Sequence, residues 1–214
     1  MPAVTELVRQ IDLYVELGYP ALAGLTEPEF RQVFQPMLGS VADAVGAGLD
    51  MTTSERRVPF VVVVTEALIP AAVRQGLTRL AGGAKPGVVD RNHGEGGVEP
   101  YRPIASLNVP DAPVYLLEDV ERGEEFTGVP PQDALPVLLD RSRTPLTIDE
   151  GISLVTLFPA VLEKNKCFML AGSRMDNKRV PAMWISDKAP KLGWCWDGNP
   201  HDWLGMASAG ARRA

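Results

Sequence analysis

Cysteine and histidine are both scarce in this chain, which has only two of each among its 214 residues. Two cysteines, Cys167 and Cys195, cannot build a disulfide framework or a four-cysteine zinc site. Both lie in segments with the pattern of β-strands, so we expect buried and unreactive thiols. The sequence therefore predicts reduced cysteines, no metal site and no cofactor.

A long hydrophobic run is also missing. The longest one covers residues 58–64 and contains Pro59, whereas a membrane-spanning helix needs about 20 apolar residues. No apolar stretch follows a basic region at the start of the sequence, so we expect no secretory signal. Together with the small number of cysteines, these absences predict a soluble cytoplasmic protein that has no membrane partner.

The chain has no overall excess of basic charge. Its formal net charge is −6, which argues against a nucleic-acid partner because phosphate contacts need clustered lysine and arginine. Residues 163–214 are an exception, with nine basic and five acidic side chains, a net charge of +4 that leaves −10 for the rest. This basic part could bind an anion, although solvated lysines are the simpler explanation. We interpret the five carboxylates of residues 118–125 as a solvated strand edge rather than as a metal site.

Composition predicts a globular protein with a sizeable core, since 45% of the residues are hydrophobic and 22% are charged. At this length we expect one compact domain over residues 1–214. Its parts are a helical N-terminal region (1–48), an α/β region (49–165) and a β-meander with a C-terminal loop (166–214). The expected fold class is α+β, with a central mixed sheet and a C-terminal antiparallel meander, and a mixed α/β fold is the alternative.

Hydrophobic periodicity and local signals place the main elements. Thr26 and Thr147 are each followed three residues later by a glutamate, and these two capping boxes each predict the start of a helix. Further helices are predicted over residues 3–17, 68–80 and 130–141. The predicted strands cover residues 58–64, 114–120, 167–171, 180–186 and 191–196, and the last three form the meander.

Glycine and proline are concentrated in residues 82–103, which contain six glycines and three prolines. The sequence predicts a loop there, with a short strand near residues 88–89, and this length is typical of a functional or mobile loop. The glycines of residues 82–87 lack the spacing of a phosphate-binding P-loop, so a phosphate site is not favoured. We expect His93, within this loop, to be solvated.

Tryptophan is the residue type with the most uneven distribution, because three of four tryptophans lie within residues 191–205. On a strand over residues 191–196, Trp194 and Trp196 share one face and Cys195 lies on the other. We expect the tryptophan face to be a wall of the core, because tryptophan is largely buried in most folds. Stacking of these rings on a flat ligand is the alternative.

A tight loop is predicted over residues 197–202, and it contains His201. His201 could act as a general base oriented by Asp197 or Asp202, or as a metal ligand together with either of them. Alternatively, it could hydrogen-bond to the backbone and lock the loop. His201 and Asp197 are therefore the candidate catalytic pair. The candidate ligand-binding residues are Arg174, Arg179, Asn199 and Trp203, of which the two arginines flank a predicted hairpin turn and could hold an anion.

Several short strings resemble an uncharacterised actinobacterial protein family that is catalogued as a domain of unknown function. They are RTPLTIDEG (143–151), AGSR (171–174), RVPA (179–182), GWCW (193–196) and GNPH (198–201), with GYPAL (18–22) and VPF (58–60) in the first half. The resemblance covers nearly the whole chain and implies a single unit. It implies no activity and assigns no catalytic residue.

Two functions are consistent with these patterns. The first is a non-catalytic domain that binds a small molecule or a protein near the C-terminal meander, since no recognised catalytic motif is present. The alternative is a small-molecule hydrolytic enzyme with His201 as its base, because polar groups beside aromatic walls are typical of ligand pockets. The sequence leaves open whether the chain is an enzyme and whether it forms a homo-oligomer.

Overall fold

The chain forms two five-stranded β-sheets that share one cluster of buried hydrophobic residues, and a further sheet of two short strands. The computed structural model describes residues 2–214. The helices are α1 (Pro2–Glu16), α2 (Tyr19–Leu22), α3 (Glu27–Val33), α4 (Met37–Gly46), α5 (Ala71–Gln75), α6 (Pro131–Asp140) and α7 (Ile148–Leu157). The strands are β1 (Arg57–Val64), β2 (Val88–Val89), β3 (Arg102–Pro103), β4 (Val114–Glu121), β5 (Thr144–Pro145), β6 (Cys167–Met169), β7 (Ser173–Arg174), β8 (Arg179–Ser186), β9 (Ala189–Trp196), β10 (Leu204–Met206), β11 (Ser208–Ala209) and β12 (Ala211–Arg213).

The expected α+β fold class is confirmed, with helices at the N-terminal end and strands at the C-terminal end. The first sheet has the order β1-β4-β11-β5, and β12 also pairs with β4; the pairings in this sheet are antiparallel. The second sheet has the order β10-β6-β8-β9-β2. Its centre is the predicted antiparallel meander, and β10 and β2 add to its two edges in parallel. The single-domain organisation stays a prediction.

Strand β1 is buried along almost its whole length, as its apolar sequence predicts. Its outer edge is covered by side chains rather than by another strand. The Gln10 amide donates to the Phe60 carbonyl (3.1 Å) and accepts from the Val62 N–H (2.8 Å). The Tyr14 hydroxyl donates to the Val62 carbonyl at 2.8 Å. Helix α1 thus satisfies backbone groups that an exposed edge strand would offer to another chain.

Both predicted capping boxes are confirmed. The Thr26 side chain accepts from the N–H of Glu29 at the start of α3, and Thr147 does the same for Glu150 at the start of α7. The predicted helix over residues 68–80 is wrong in length, because only Ala71–Gln75 are helical. Pro70 has an extended backbone before α5, and the Thr78 hydroxyl donates to the Gln75 carbonyl just beyond its end.

The glycine-rich loop packs onto the meander through its short strand β2, which lies where the sequence predicts it. The Asp90 N–H donates to the Leu192 carbonyl at 2.8 Å. The predicted solvation of His93 is therefore wrong, because the docked loop leaves the side chain only 8% exposed. Gly87 has a packing role, since an ideal Cβ there would lie 2.0 Å from the Thr78 Oγ1.

Each of the five carboxylates in residues 118–125 forms an ion pair with an arginine. The pairs are Glu118–Arg213, Asp119–Arg57, Asp119–Arg143, Glu121–Arg143, Glu124–Arg122 and Glu125–Arg141. The predicted solvated edge is wrong for Glu118, which is buried. Burial raises the pKa of Asp119, but the Arg143 and Arg57 guanidinium groups outweigh burial and hold that pKa below its usual value. Apart from Glu124–Arg122, the sequence did not reveal these pairs because their partners are distant in the chain.

Candidate functional site

All four tryptophans line one cavity at the end of the β8–β9 hairpin. Its volume is about 330 Å³, within the size range of small-molecule sites. The lining residues are Trp184, Trp194, Cys195, Trp196, Asn199, His201, Trp203 and Leu204. We call this cavity the tryptophan pocket.

The β8–β9 hairpin sets the positions of three indole rings. It closes with a tight turn at Asp187 and Lys188, whose φ angles are +52° and +63°, as a two-residue hairpin turn requires. The resulting register pairs Ala182 with Gly193. An ideal Cβ at Gly193 would lie 2.0 Å from the Trp184 ring. Because Gly193 has no side chain, the indole of Trp184 can lie against the strand.

Two edge-to-face contacts arrange the indole rings. The ring centroids of Trp184 and Trp203 are 6.1 Å apart at an interplanar angle of 79°, and those of Trp194 and Trp196 are 4.9 Å apart at 72°. Such contacts fix ring orientation beyond the effect of burial. The Arg179 guanidinium lies over the Trp194 ring, 4.1 Å from its centroid.

The predicted core wall of Trp194 and Trp196 is wrong. Trp196 is 46% exposed, and Trp194 is only partly buried. The reason is their place at the open end of the hairpin, where Trp196 is the last residue of β9 and pairs with Arg179, the first of β8. The alternation itself is confirmed at Cys195, whose thiol is buried. Burial raises the pKa of Cys195 to about 12.

The loop that carries His201 is fixed by its backbone. The Gly128 N–H donates to the His201 carbonyl (2.8 Å), and the Gln132 N–H donates to the Asp197 carbonyl (3.0 Å). The half-buried His201 ring contacts Trp203 edge-to-face, with centroids 5.5 Å apart. Its Nε2 is buried and makes no hydrogen bond within residues 2–214. The predicted hydrogen bond from the His201 imidazole to the backbone is not present within residues 2–214, and the His201 carbonyl holds the loop instead.

The structure gives several candidate polar residues partners other than the predicted ones. The Asp197 carboxylate accepts from Arg174 at 3.0 Å and not from His201. Arg174 also donates to the Ala171 carbonyl, and Arg179 stacks on Trp194. Asn199 and His201 line the tryptophan pocket with Trp203. The catalytic role of His201 and Asp197 stays a prediction, as do the ligand roles of the other four residues.

A second cavity of about 440 Å³ adjoins the tryptophan pocket. Its lining residues are Lys164, Asn165, Cys167, Trp184, Ile185 and Trp203. We call it the Lys164 cavity, and it shares Trp184 and Trp203 with the tryptophan pocket. Sequence reasoning missed Trp184 and Lys164 as site residues. The one available signal was Trp184 itself, the only tryptophan outside residues 191–205.

A family model described as a family of unknown function, DUF5701, matches residues 13–214. The chain belongs to the DUF5701 family. The resemblance to a domain of unknown function is thereby confirmed. Neither a curated protein nor a solved structure matches the chain.

The residues matched by DUF5701 include all those that line the two cavities. In the described part, residues 2–214, no three His, Cys, Asp or Glu side chains are placed to hold a metal ion. No helix in those residues is long and apolar enough to cross a bilayer. What the tryptophan pocket offers chemically is aromatic surface together with a few polar atoms.

Proposed function

We propose that this DUF5701 chain binds a planar, largely apolar small molecule in the tryptophan pocket. The observation that carries the proposal is the convergence of all four indoles on one cavity, whose lining also includes the His201 ring. Aromatic rings bury large areas and stack on flat partners. A few polar groups in a mostly apolar cavity are the usual composition of a ligand site.

Unpartnered polar groups of the lining supply orientation in this proposal. His201 belongs to the wall of the cavity, and its buried Nε2 makes no hydrogen bond within residues 2–214. The indole N–H groups of Trp184, Trp196 and Trp203 also make no hydrogen bond within residues 2–214, whereas Trp194 donates to the Asn92 carbonyl at 3.0 Å. Acceptor atoms of the ligand can therefore receive hydrogen bonds from these indole N–H groups.

Binding is better supported than hydrolysis. The raised pKa of Cys195, about 12, keeps its thiol protonated and a poor nucleophile near neutral pH. A histidine base is normally oriented by a second hydrogen-bonded group, and the Asp197 carboxylate is bound to Arg174 instead.

The test is a calorimetric titration with naphthylbutanol, a flat neutral probe with one hydroxyl. We expect saturable binding to the wild type and about fivefold weaker binding to Trp196→Ala, since one aromatic contact contributes about 1 kcal/mol. The matched control is Leu139→Ala, which removes an exposed side chain on α6, away from both cavities. Absence of binding by the folded wild type, or equal binding by Trp196→Ala, would overturn the proposal.

A further inference from the structure

The tryptophan pocket and the Lys164 cavity adjoin, because the Trp184–Trp203 pair belongs to the walls of both, and we call the two together the groove. The two parts measure about 330 and 440 Å³. A flat ring that fills the first part leaves the second for a substituent. An elongated ligand would therefore cross the two shared indoles.

The groove is free of carboxylates, although the chain carries a net charge of −6. Neither of its two parts is lined by aspartate or glutamate. Three other cavities do have carboxylates in their lining. One is lined by Glu121, Glu124 and Glu125, and the other two are lined by Glu66 and Asp149. A cationic ligand would thus find aromatic faces but no carboxylate counter-charge here, and an anionic ligand meets no carboxylate in the lining.

Lys164 supplies a positive charge in the part of the groove that lies outside the tryptophan pocket. It lies with Asn165 at the corner of a tight turn, in which the Lys166 N–H donates to the Glu163 carbonyl at 3.0 Å. Lys164 is exposed and makes no ion pair within the described residues 2–214. The nearby Glu163 carboxylate is bound to Lys166 at 3.2 Å and to Arg122 at 2.9 Å. The Lys164 ammonium is therefore free to meet a ligand.

We infer that the ligand is an aromatic carboxylate whose ring lies in the tryptophan pocket and whose carboxylate lies beside Lys164. This inference rests on the proposed function and names the class of ligand for that site. The Asn165 amide, which also lines the second cavity, can donate to the same carboxylate. The chain linking ring and carboxylate lies over Trp184 and Trp203, whose faces are apolar.

The experiment compares two probes with the same ring and chain length, naphthylbutanoate and naphthylbutanol, by calorimetry at low ionic strength. We expect the carboxylate to bind the wild type about fivefold more tightly, the upper range for one exposed ion pair. Lys164→Gln removes this preference and leaves naphthylbutanol binding unchanged. The matched control Lys188→Gln, at an exposed lysine in the β8–β9 turn, keeps the preference. Added salt weakens it, because screening acts on exposed charges.

The outcomes separate this inference from the function on which it rests. Equal binding of the two probes to the wild type, or a preference that survives in Lys164→Gln, overturns the carboxylate assignment while naphthylbutanol binding still supports a planar ligand. Tighter binding of naphthylbutylammonium than of naphthylbutanoate also overturns it. If the folded wild type binds none of the probes, the proposed function fails together with the inference.

Discussion

Gly193 shows how a single residue determines the shape of the tryptophan pocket. The Trp184 ring occupies the space in which a side chain at position 193 would lie. Gly193 is also buried, so a new methyl group there cannot turn toward solvent. The pocket therefore depends on a residue that contributes no side-chain atom to it.

We predict that Gly193→Ala displaces Trp184, lowers the free energy of unfolding by about 1–3 kcal/mol through overpacking and weakens naphthylbutanol binding. Urea denaturation and calorimetry measure the two effects. The control is Gly39→Ala in α4, where a Cβ meets nothing within 4 Å and helix propensity favours alanine by about 1 kcal/mol. Unchanged stability and binding in Gly193→Ala would contradict this account of the pocket.

His93 gives a residue-scale prediction about pH. Burial lowers the pKa of His93, although weak contacts with the backbone of β9 and the charge of Asp90 act in the opposite direction. The unfolded chain therefore binds a proton at His93 at a higher pH than the folded chain does. The stability that depends on neutral His93 is complete above the unfolded pKa of about 6.5 and is lost as the pH falls toward the folded value.

The measurement is the urea midpoint between pH 7 and pH 5 for wild type and for His93→Phe, which keeps an aromatic ring next to Tyr101. We expect the wild type to lose more stability over this range than His93→Phe does. Parallel pH profiles for the two proteins would show that His93 does not titrate differently in the folded and unfolded chains.

At the scale of elements, the two capping boxes have the same sequence pattern in different surroundings. Thr26 and Glu29 are exposed at the start of α3, whereas Thr147 and Glu150 are buried at the start of α7. Water can replace a lost hydrogen bond at an exposed helix end but not at a buried one. The same pattern therefore stabilises the chain to different extents.

We predict that Thr26→Ala costs about 1 kcal/mol, an ordinary N-cap loss, and that Thr147→Ala costs about 2–3 kcal/mol because it also leaves buried groups unpaired. Chemical denaturation measures both values. Thr147→Ser, which keeps the hydroxyl group, is the control and retains most of the stability. Equal losses at the two positions would show that burial does not change the effect of the cap.

Most elements could be predicted because their signals are local. The apolar run of β1, the capping boxes of α3 and α7 and the strands of the meander each depend on residues within a few positions. The helix predicted over residues 68–80 was too long because its periodicity continues past the five residues that are helical. Beyond Gln75 the chain instead packs tightly against Gly87, a contact that periodicity does not encode.

At the scale of the whole molecule, the C-terminal strand β12 joins the first sheet to helix α7. Arg212 donates to both oxygens of the Glu150 carboxylate, at 2.5 and 3.0 Å, and the Tyr115 hydroxyl donates to it at 2.7 Å. Burial lowers the pKa of Arg212, but the hydrogen bond and charge of Glu150 outweigh burial and hold it above its usual value. A buried ion pair thus connects the end of the chain to its interior.

We predict that Arg212→Met costs about 3–5 kcal/mol, because it leaves the Glu150 carboxylate buried without its counter-charge. The double variant Arg212→Met with Glu150→Gln loses less, since glutamine is neutral and can still complete the capping box. Urea denaturation followed by tryptophan fluorescence measures both. A loss in Arg212→Met no larger than in the double variant would contradict the role of the unpaired charge.

The sequence by itself determined the fold class, most helix and strand positions, the burial of both cysteines and the family resemblance. These follow from patterns of neighbouring residues. Only the tertiary structure decided that the arginines bind the acidic segment, that His93 is buried and that Trp196 is exposed. Those outcomes depend on how the strands and loops pack against one another. The tryptophan pocket combines both levels, because alternation placed Trp194 and Trp196 on one face, and the packing of the sheet left that face partly open.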